Sequence, residues 1–181
     1  MCDTRPVTCV KGVSSAREKA LARLGIMTVG DLLKLYPREY EDRTHVVSIA
    51  SLVPETQASL TARVLLVSSA KRIRNNLSVI NVLIQDSTGT LTLVFYNQTY
   101  IRNSLIPGND YCFYGKVTRG YKASEMCNPV FADLLTGADD FQRLLPVYPL
   151  TAGISQNIMR KLVKEAVRMA ASAGCKDSLP E

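Results

Sequence analysis

The chain has 181 residues, 46% of them hydrophobic, which is enough for one domain, or a small domain with appendages, to bury a core without disulfide or metal staples. No apolar run approaches a bilayer span and the start Met1-Cys2-Asp3-Thr4-Arg5 has no secretory character, so a soluble cytoplasmic protein is expected. Of the net charge of +6, nearly all falls in residues 58–132, which carry 8 basic and 3 acidic side chains, and this asymmetry points to an anionic partner.

In chain order, Ser15-Ala16-Arg17-Glu18 has the spacing of a capping box. Ala16, Ala20, Leu21 and Leu24 then form an apolar stripe, and Gly25 is placed to end the helix. Thr28-Val29-Gly30-Asp31 is a second box, opening a helix with Val29, Leu32, Leu33 and Tyr36 on one face and Pro37 at its end. The result is a helical hairpin, followed by a polar connector over 38–45 and a boundary near residue 57, giving a first region of 1–57.

Beyond that boundary the apolar period moves from about 3.6 toward 2. Five strands are predicted, at 58–70, 77–86, 90–97, 110–118 and 123–131. A basic turn at 71–76, a tight turn at Asp86-Ser87-Thr88-Gly89 and a turn at Arg119-Gly120-Tyr121-Lys122 punctuate them. A short helix over 100–106 ends at Pro107-Gly108. Three strands, a helix and two strands predict an α+β, mainly β protein built on a five-stranded OB-type Greek-key barrel, residues 58–132.

The remaining region, 133–181, contains an extended strip at Leu144–Pro149 and a helix capped near Ser155. Ile158, Leu162, Ala166 and Met169 face its core, while Arg160, Lys164 and Arg168 recur every fourth residue as a stripe that reads as a solvated face.

Candidate site residues cluster in the barrel. If Leu91, Leu93 and Phe95 point inward, Tyr96 points outward, and Tyr100 lies four residues further on. Exposed rings beside cations form a stacking platform for nucleic-acid bases, although aromatics at strand ends also serve as core. Lys71, Arg72 and Arg74 in one turn, and Arg119, Tyr121 and Lys122 in another, supply the cations and a further ring; a solvated hairpin tip has the same composition.

Other chemistry finds little support. Five scattered cysteines without a C-x-x-C pair suggest reduced packing thiols, and the single histidine, His45, has no metal-ligand neighbours in sequence. Gly115-Lys116 lacks phosphate-loop spacing, with Val117 where Ser or Thr is required. No acidic pair or nucleophile motif occurs, so the chain alone is expected to be non-catalytic, with no cofactor of its own. Gly12-Val13-Ser14 with Leu24-Gly25-Ile26 resembles a helix-hairpin-helix element in which Ser14 replaces the usual second glycine; a structural role is expected.

Two strings carry a closer resemblance. Tyr36-Pro37-Arg38-Glu39-Tyr40-Glu41-Asp42-Arg43 and Leu144-Leu145-Pro146-Val147-Tyr148-Pro149-Leu150-Thr151, with Val10-Lys11-Gly12-Val13, Asp86-Ser87-Thr88-Gly89 and Phe95-Tyr96-Asn97-Gln98, are similar to the N-terminal wedge region of the ATP-dependent DNA helicase family RecG. The resemblance covers nearly the whole chain. It implies an OB barrel seated at the junction of a replication fork or Holliday junction in DNA repair and recombination, with Tyr96 and Tyr100 stacking on unpaired bases. Lys71, Arg72, Arg74, Arg119 and Lys122 are then phosphate contacts by charge and position.

Branched and single-stranded DNA are the implied partners of a monomeric wedge. The family's His-Pro-Glu near the fifth strand is Asn128-Pro129-Val130 here, and no polar contact is carried over to it. The motor is missing from these residues, so ATP and magnesium are assigned to it and a separately encoded motor, a fragment or a remnant is expected. A general single-stranded DNA or RNA binder and a protein-interaction barrel remain as other readings.

Overall fold

The computed structural model describes residues 4–74, 76–120 and 124–172. In chain order its elements are α1 (Ser15–Ala22), α2 (Val29–Leu33), β1 (Glu39–Asp42), β2 (Gln57–Val67), β3 (Lys71–Arg74), β4 (Leu77–Gln85), β5 (Thr90–Tyr96), α3 (Ile101–Ser104), β6 (Asp110–Arg119), β7 (Ser124–Cys127), β8 (Val130–Asp133), α4 (Leu134–Phe141), β9 (Leu144–Val147) and α5 (Gln156–Ser172). Contacts group them into two units, residues 42–144 and residues 4–41 with 145–172.

In the first unit, β2 runs antiparallel to both β4 and β6, and β4 runs antiparallel to β5. A parallel β5–β7 pair and the antiparallel return of β7 on β6 close the ring, giving a five-stranded OB-type barrel. β8 carries the course of β7 onward along β6, and β3 flanks the first half of β4. The alternation responsible is plain: Leu60, Ala62 and Val64 of β2, Ile80, Val82 and Ile84 of β4, and Leu91, Leu93 and Phe95 of β5 are all buried. Each contributes about 1.5–3 kcal/mol for the larger side chains. Ile101 and Leu105, at either end of α3, are fully buried in the same core.

Residues 42–57, grouped with the helical hairpin in the sequence reading, join the barrel unit. Val47 N donates to Ser59 O (2.8 Å) and Glu55 N to Val117 O (2.7 Å). Asp86 holds the β4–β5 turn to this segment: one carboxylate oxygen accepts from Thr88 N, Thr88 Oγ1 and Gly89 N, the other from Ile49 N at 2.7 Å. Burial pushes this carboxyl up, but the four hydrogen bonds outweigh it and hold the group below its ordinary value. α4, for which the sequence reading had no helix, starts on Asp133, whose carboxylate accepts from Leu135 N and Thr136 N.

The second unit packs Leu21, Val29 and Leu32 of the first two helices against Met159, Leu162 and Ala166 of α5. The expected box at Ser15 is displaced by one residue: Ser14 is the cap, accepting from Arg17 N, and Ala16 is exposed. Thr28 and Asp31 form both halves of the second box. Tyr36 lies beyond the end of α2 and is exposed, not on its apolar face.

The polar connector is corrected more substantially, because Glu39–Asp42 is a strand paired with β9. Arg38 N donates to Val147 O at 2.8 Å, and the Arg160 guanidinium donates to Pro146 O (2.7 Å) and sits 3.4 Å from Glu41. The Gln156 carboxamide bonds both Tyr148 N and Tyr148 O. The two strings that carry the resemblance therefore meet as one ladder, and Arg160 holds them together rather than lying on a solvated stripe.

Candidate nucleic-acid interface

Phe95 is fully buried and Tyr96, the last residue of β5, is 38% exposed on the outer face, as alternation requires. Two asparagines in the left-handed region, Asn97 (φ 55°) and Asn128 (φ 44°), fix its backbone, a conformation asparagine tolerates better than most residues. Asn97 N donates to Ser78 O and Asn97 Oδ1 accepts from Ser78 N (2.9 Å), tying the chain to β4. On the other side, Asn128 N donates to Val94 O, and Asn128 Oδ1 accepts from Tyr96 N at 2.9 Å. The Asn128 side chain thus adds one rung to the β5–β7 ladder past Val94↔Cys127. Burial, with Cys127 and Glu125 nearby, raises the Tyr96 phenol above its ordinary value.

Tyr100, just before α3, is 59% exposed. Its hydroxyl donates to Gln98 Oε1 at 2.8 Å, and Gln98 Nε2 donates to Asn128 Oδ1 at 3.1 Å. The Asn128 and Gln98 carboxamides in series therefore join the backbone of the first ring to the hydroxyl of the second. Gln98 and Asn128 were not singled out as site residues from sequence; the available signal was asparagine at a strand end, where a left-handed residue is common. Asn128 supplies polar contacts at the segment to which the resemblance carried none.

The basic turn is corrected to a strand. Lys71↔Val79 and Arg72↔Ser78 are in register between β3 and β4, and Val79↔Tyr96 between β4 and β5. Lys71, Val79 and Tyr96 consequently lie in one cross-strand row and share a face, with Lys71 and Tyr96 separated by about 9.6 Å, two interstrand spacings. Lys71 and Arg72 are exposed, and the backbone of Arg74 ends β3. Arg119, also exposed, pairs with Ser124 at the far end of β7, five residues along from the level of Tyr96, or about 17 Å. Tyr121 and Lys122 lie outside the described residues.

Elsewhere the chemistry is quiet. His45 is exposed and 3.6 Å from Asp42, and the described residues contain no cluster able to hold a metal ion. Cys9, Cys112 and Cys127 are free thiols, with burial pushing Cys112 up. Arg17 bonds the Gly12 carbonyl and the Ser14 hydroxyl caps α1. No helix among the described residues is long and apolar enough to cross a membrane.

Comparison with known proteins gives a consistent result. The family described as the RecG wedge domain matches residues 6–170. The ATP-dependent DNA helicase RecG of Escherichia coli (strain K12) is 34% identical over 182 residues, covering 98% of this chain and 26% of that protein. RecG of Thermotoga maritima is 31% identical over 176 residues, covering 94% and 22%. Among solved structures, RecG bound to a three-way DNA junction superimposes with a TM-score of 0.87 at 29% identity, over 98% of this chain and 24% of that one. The chain spans about a quarter of the length of these relatives.

Proposed function

The chain belongs to the RecG wedge domain family, and from that premise we propose that it binds branched DNA at the point where strands separate, as the wedge of a RecG-like helicase in repair and recombination. The observation that carries this reading is the match of nearly its whole length to the RecG seen on a three-way junction. Tyr96 and Tyr100 then take unpaired bases, each stack offsetting lost base stacking by about 1–3 kcal/mol. Lys71 and Arg72 neutralise phosphate beside Tyr96, and Arg119, at the end of β6, contacts phosphate elsewhere on the DNA. Arg74 and Lys122 are assigned to phosphate by charge and Tyr121 to a base by its ring, all three from sequence alone. Phosphate contacts position the protein without reading sequence, which suits recognition of shape.

Strand separation in this scheme is steric and requires no nucleotide. ATP and magnesium belong to a helicase motor outside these 181 residues, and the wedge acts as a cytoplasmic monomer on DNA.

A competition titration with a fork, a single strand and a plain duplex of matched length tests the proposal. The fork is expected to bind tightest, and Tyr96→Ala with Tyr100→Ala should weaken it by at least tenfold. Equal affinity for all three DNAs, or an unaffected double variant, would overturn it.

A further inference from the structure

In the cross-strand row of Tyr96 the barrel carries an open groove lined by Ser69, Lys71, Arg72, Ile73, Val79 and Asn81 among others, with no acidic residue. Its shape comes from an irregularity in β3. The register passes from Arg72↔Ser78 to Arg74↔Leu77, leaving Ile73 as the extra residue. A bulge of this kind leaves its residue unpaired and re-aims the side chain. Ile73 is 55% exposed as a result, an aliphatic group held in water between two arginines in sequence.

The opposite wall is fixed. Ser68 N donates to Asn81 O (2.8 Å), and Ser68 Oγ accepts from Asn81 N (2.9 Å), so the turn leading into β3 is anchored to β4. Val79 is the middle member of the row that joins Lys71 to Tyr96, and Asn81 lies two residues further along the same outer face.

Resting on the function proposed above, we infer that this groove is a second nucleotide subsite, holding the unpaired nucleotide next to the one stacked on Tyr96. The base lies against Ile73 and Val79, its edge meets the Asn81 carboxamide, and the phosphate meets Lys71. An apolar floor with a cationic, acid-free rim fits a ligand that is flat and apolar on one part and anionic on another. A nucleotide in a single strand has that chemistry, and aliphatic side chains set against base steps are an established way to hold unstacked DNA. The row gives the route: a strand leaving Tyr96 crosses Val79 to reach Lys71, about two interstrand spacings away.

The test uses the whole chain and a fork carrying 2-aminopurine at each unpaired position near the branch in turn. Two neighbouring positions should change fluorescence on binding, one signal lost in Tyr96→Ala and the other lost in Ile73→Ser. Ile73→Ser should weaken fork binding roughly tenfold, and Ile73→Phe, which keeps an apolar face, should restore it. Replacing the second nucleotide by an abasic one should weaken the unmodified protein by the same factor and add nothing in Ile73→Ser. If Ile73→Ser retains both signals and full affinity while Tyr96→Ala does not, the subsite is overturned and the wedge reading stands. If neither variant alters binding, both fall. Polyglutamate displacing the fork at similar charge concentration would also overturn the assignment, since the groove would then be selecting charge alone.

Discussion

The side-chain oxygen of Asn128 accepts the backbone amide of Tyr96 at 2.9 Å and the Gln98 carboxamide at 3.1 Å, so a residue on the far side of a strand crossing sets the stance of both exposed rings. Removing that oxygen leaves Tyr96 N without its rung on β7 and uncouples Gln98 from it. Asn128→Ala is expected to lose about 1–3 kcal/mol, the sum of a lost hydrogen bond and a left-handed alanine. Asn128→Gly separates the two causes, since glycine tolerates the backbone but lacks the acceptor. Both variants should bind a fork about three- to tenfold more weakly, while Asn128→Asp keeps the acceptor and the melting temperature. Fork titration with thermal melting checks this, and full affinity in Asn128→Gly would remove Asn128 from the site.

Lys71 shares its row with Tyr96, which makes its charge a local one for any strand stacked there. Each phosphate contact with a single strand contributes about 0.7 to the slope of log K against log salt, and about 0.9 with duplex. Lys71→Ala should flatten the slope for the fork and the single strand by roughly that amount and weaken both, with plain duplex affected least. A variant whose slope equals that of the unmodified protein would mean that Lys71 is a solvated tip.

Much of the barrel was legible in sequence because its strands alternate on a closed core: Leu91, Leu93 and Phe95 inward implies Tyr96 outward, and the exposures agree. The ladder of β1 and β9 was not legible, since Glu39–Asp42 is polar on both faces and its partner lies a hundred residues away. Local composition cannot signal a two-stranded pairing whose hold comes from Arg160 and Gln156. Likewise the run Lys71–Arg74 reads as a turn by charge but extends along β4, because pairing with Val79 and Ser78 overrides a weak local preference. Asn128 reads as a departure from a motif in sequence, while its bonds to Tyr96 and Gln98 are visible only when β7 returns beside β5.

Arg43 illustrates what the charged string contributes to the barrel unit. It is 7% exposed, with its guanidinium carbon 4.6 Å from the centre of the Tyr114 ring and 5.0 Å from that of Phe141. A desolvated cation between two rings contributes about 2 kcal/mol, together with the packing of its aliphatic stem. Arg43→Ala should lower stability by at least that amount in urea unfolding. Arg43→Lys should recover only part, because an ammonium lacks the planar face. Fork affinity of the folded fraction should be unchanged, and a large loss there instead would mean that Arg43 reaches DNA.

Asp86 predicts how the fold responds to acid. Its folded carboxyl sits below the ordinary value, held there by hydrogen bonds from Ile49, Thr88 and Gly89 that outweigh the upward push of burial. A depressed folded value means that the ionised form is favoured by folding. The contribution is therefore complete above the unfolded value of about 3.9 and is lost as pH falls through the folded one. Asp31 shifts in the same direction, chiefly through the Thr28 hydroxyl, so the second helix weakens over the same range. Asp86→Asn should be less stable than the unmodified protein at pH 7, and the gap between their urea midpoints should narrow steadily from pH 5 to pH 3. A gap that stays constant over that range would show that the turn is held by shape and neutral hydrogen bonds, with the carboxylate charge contributing nothing.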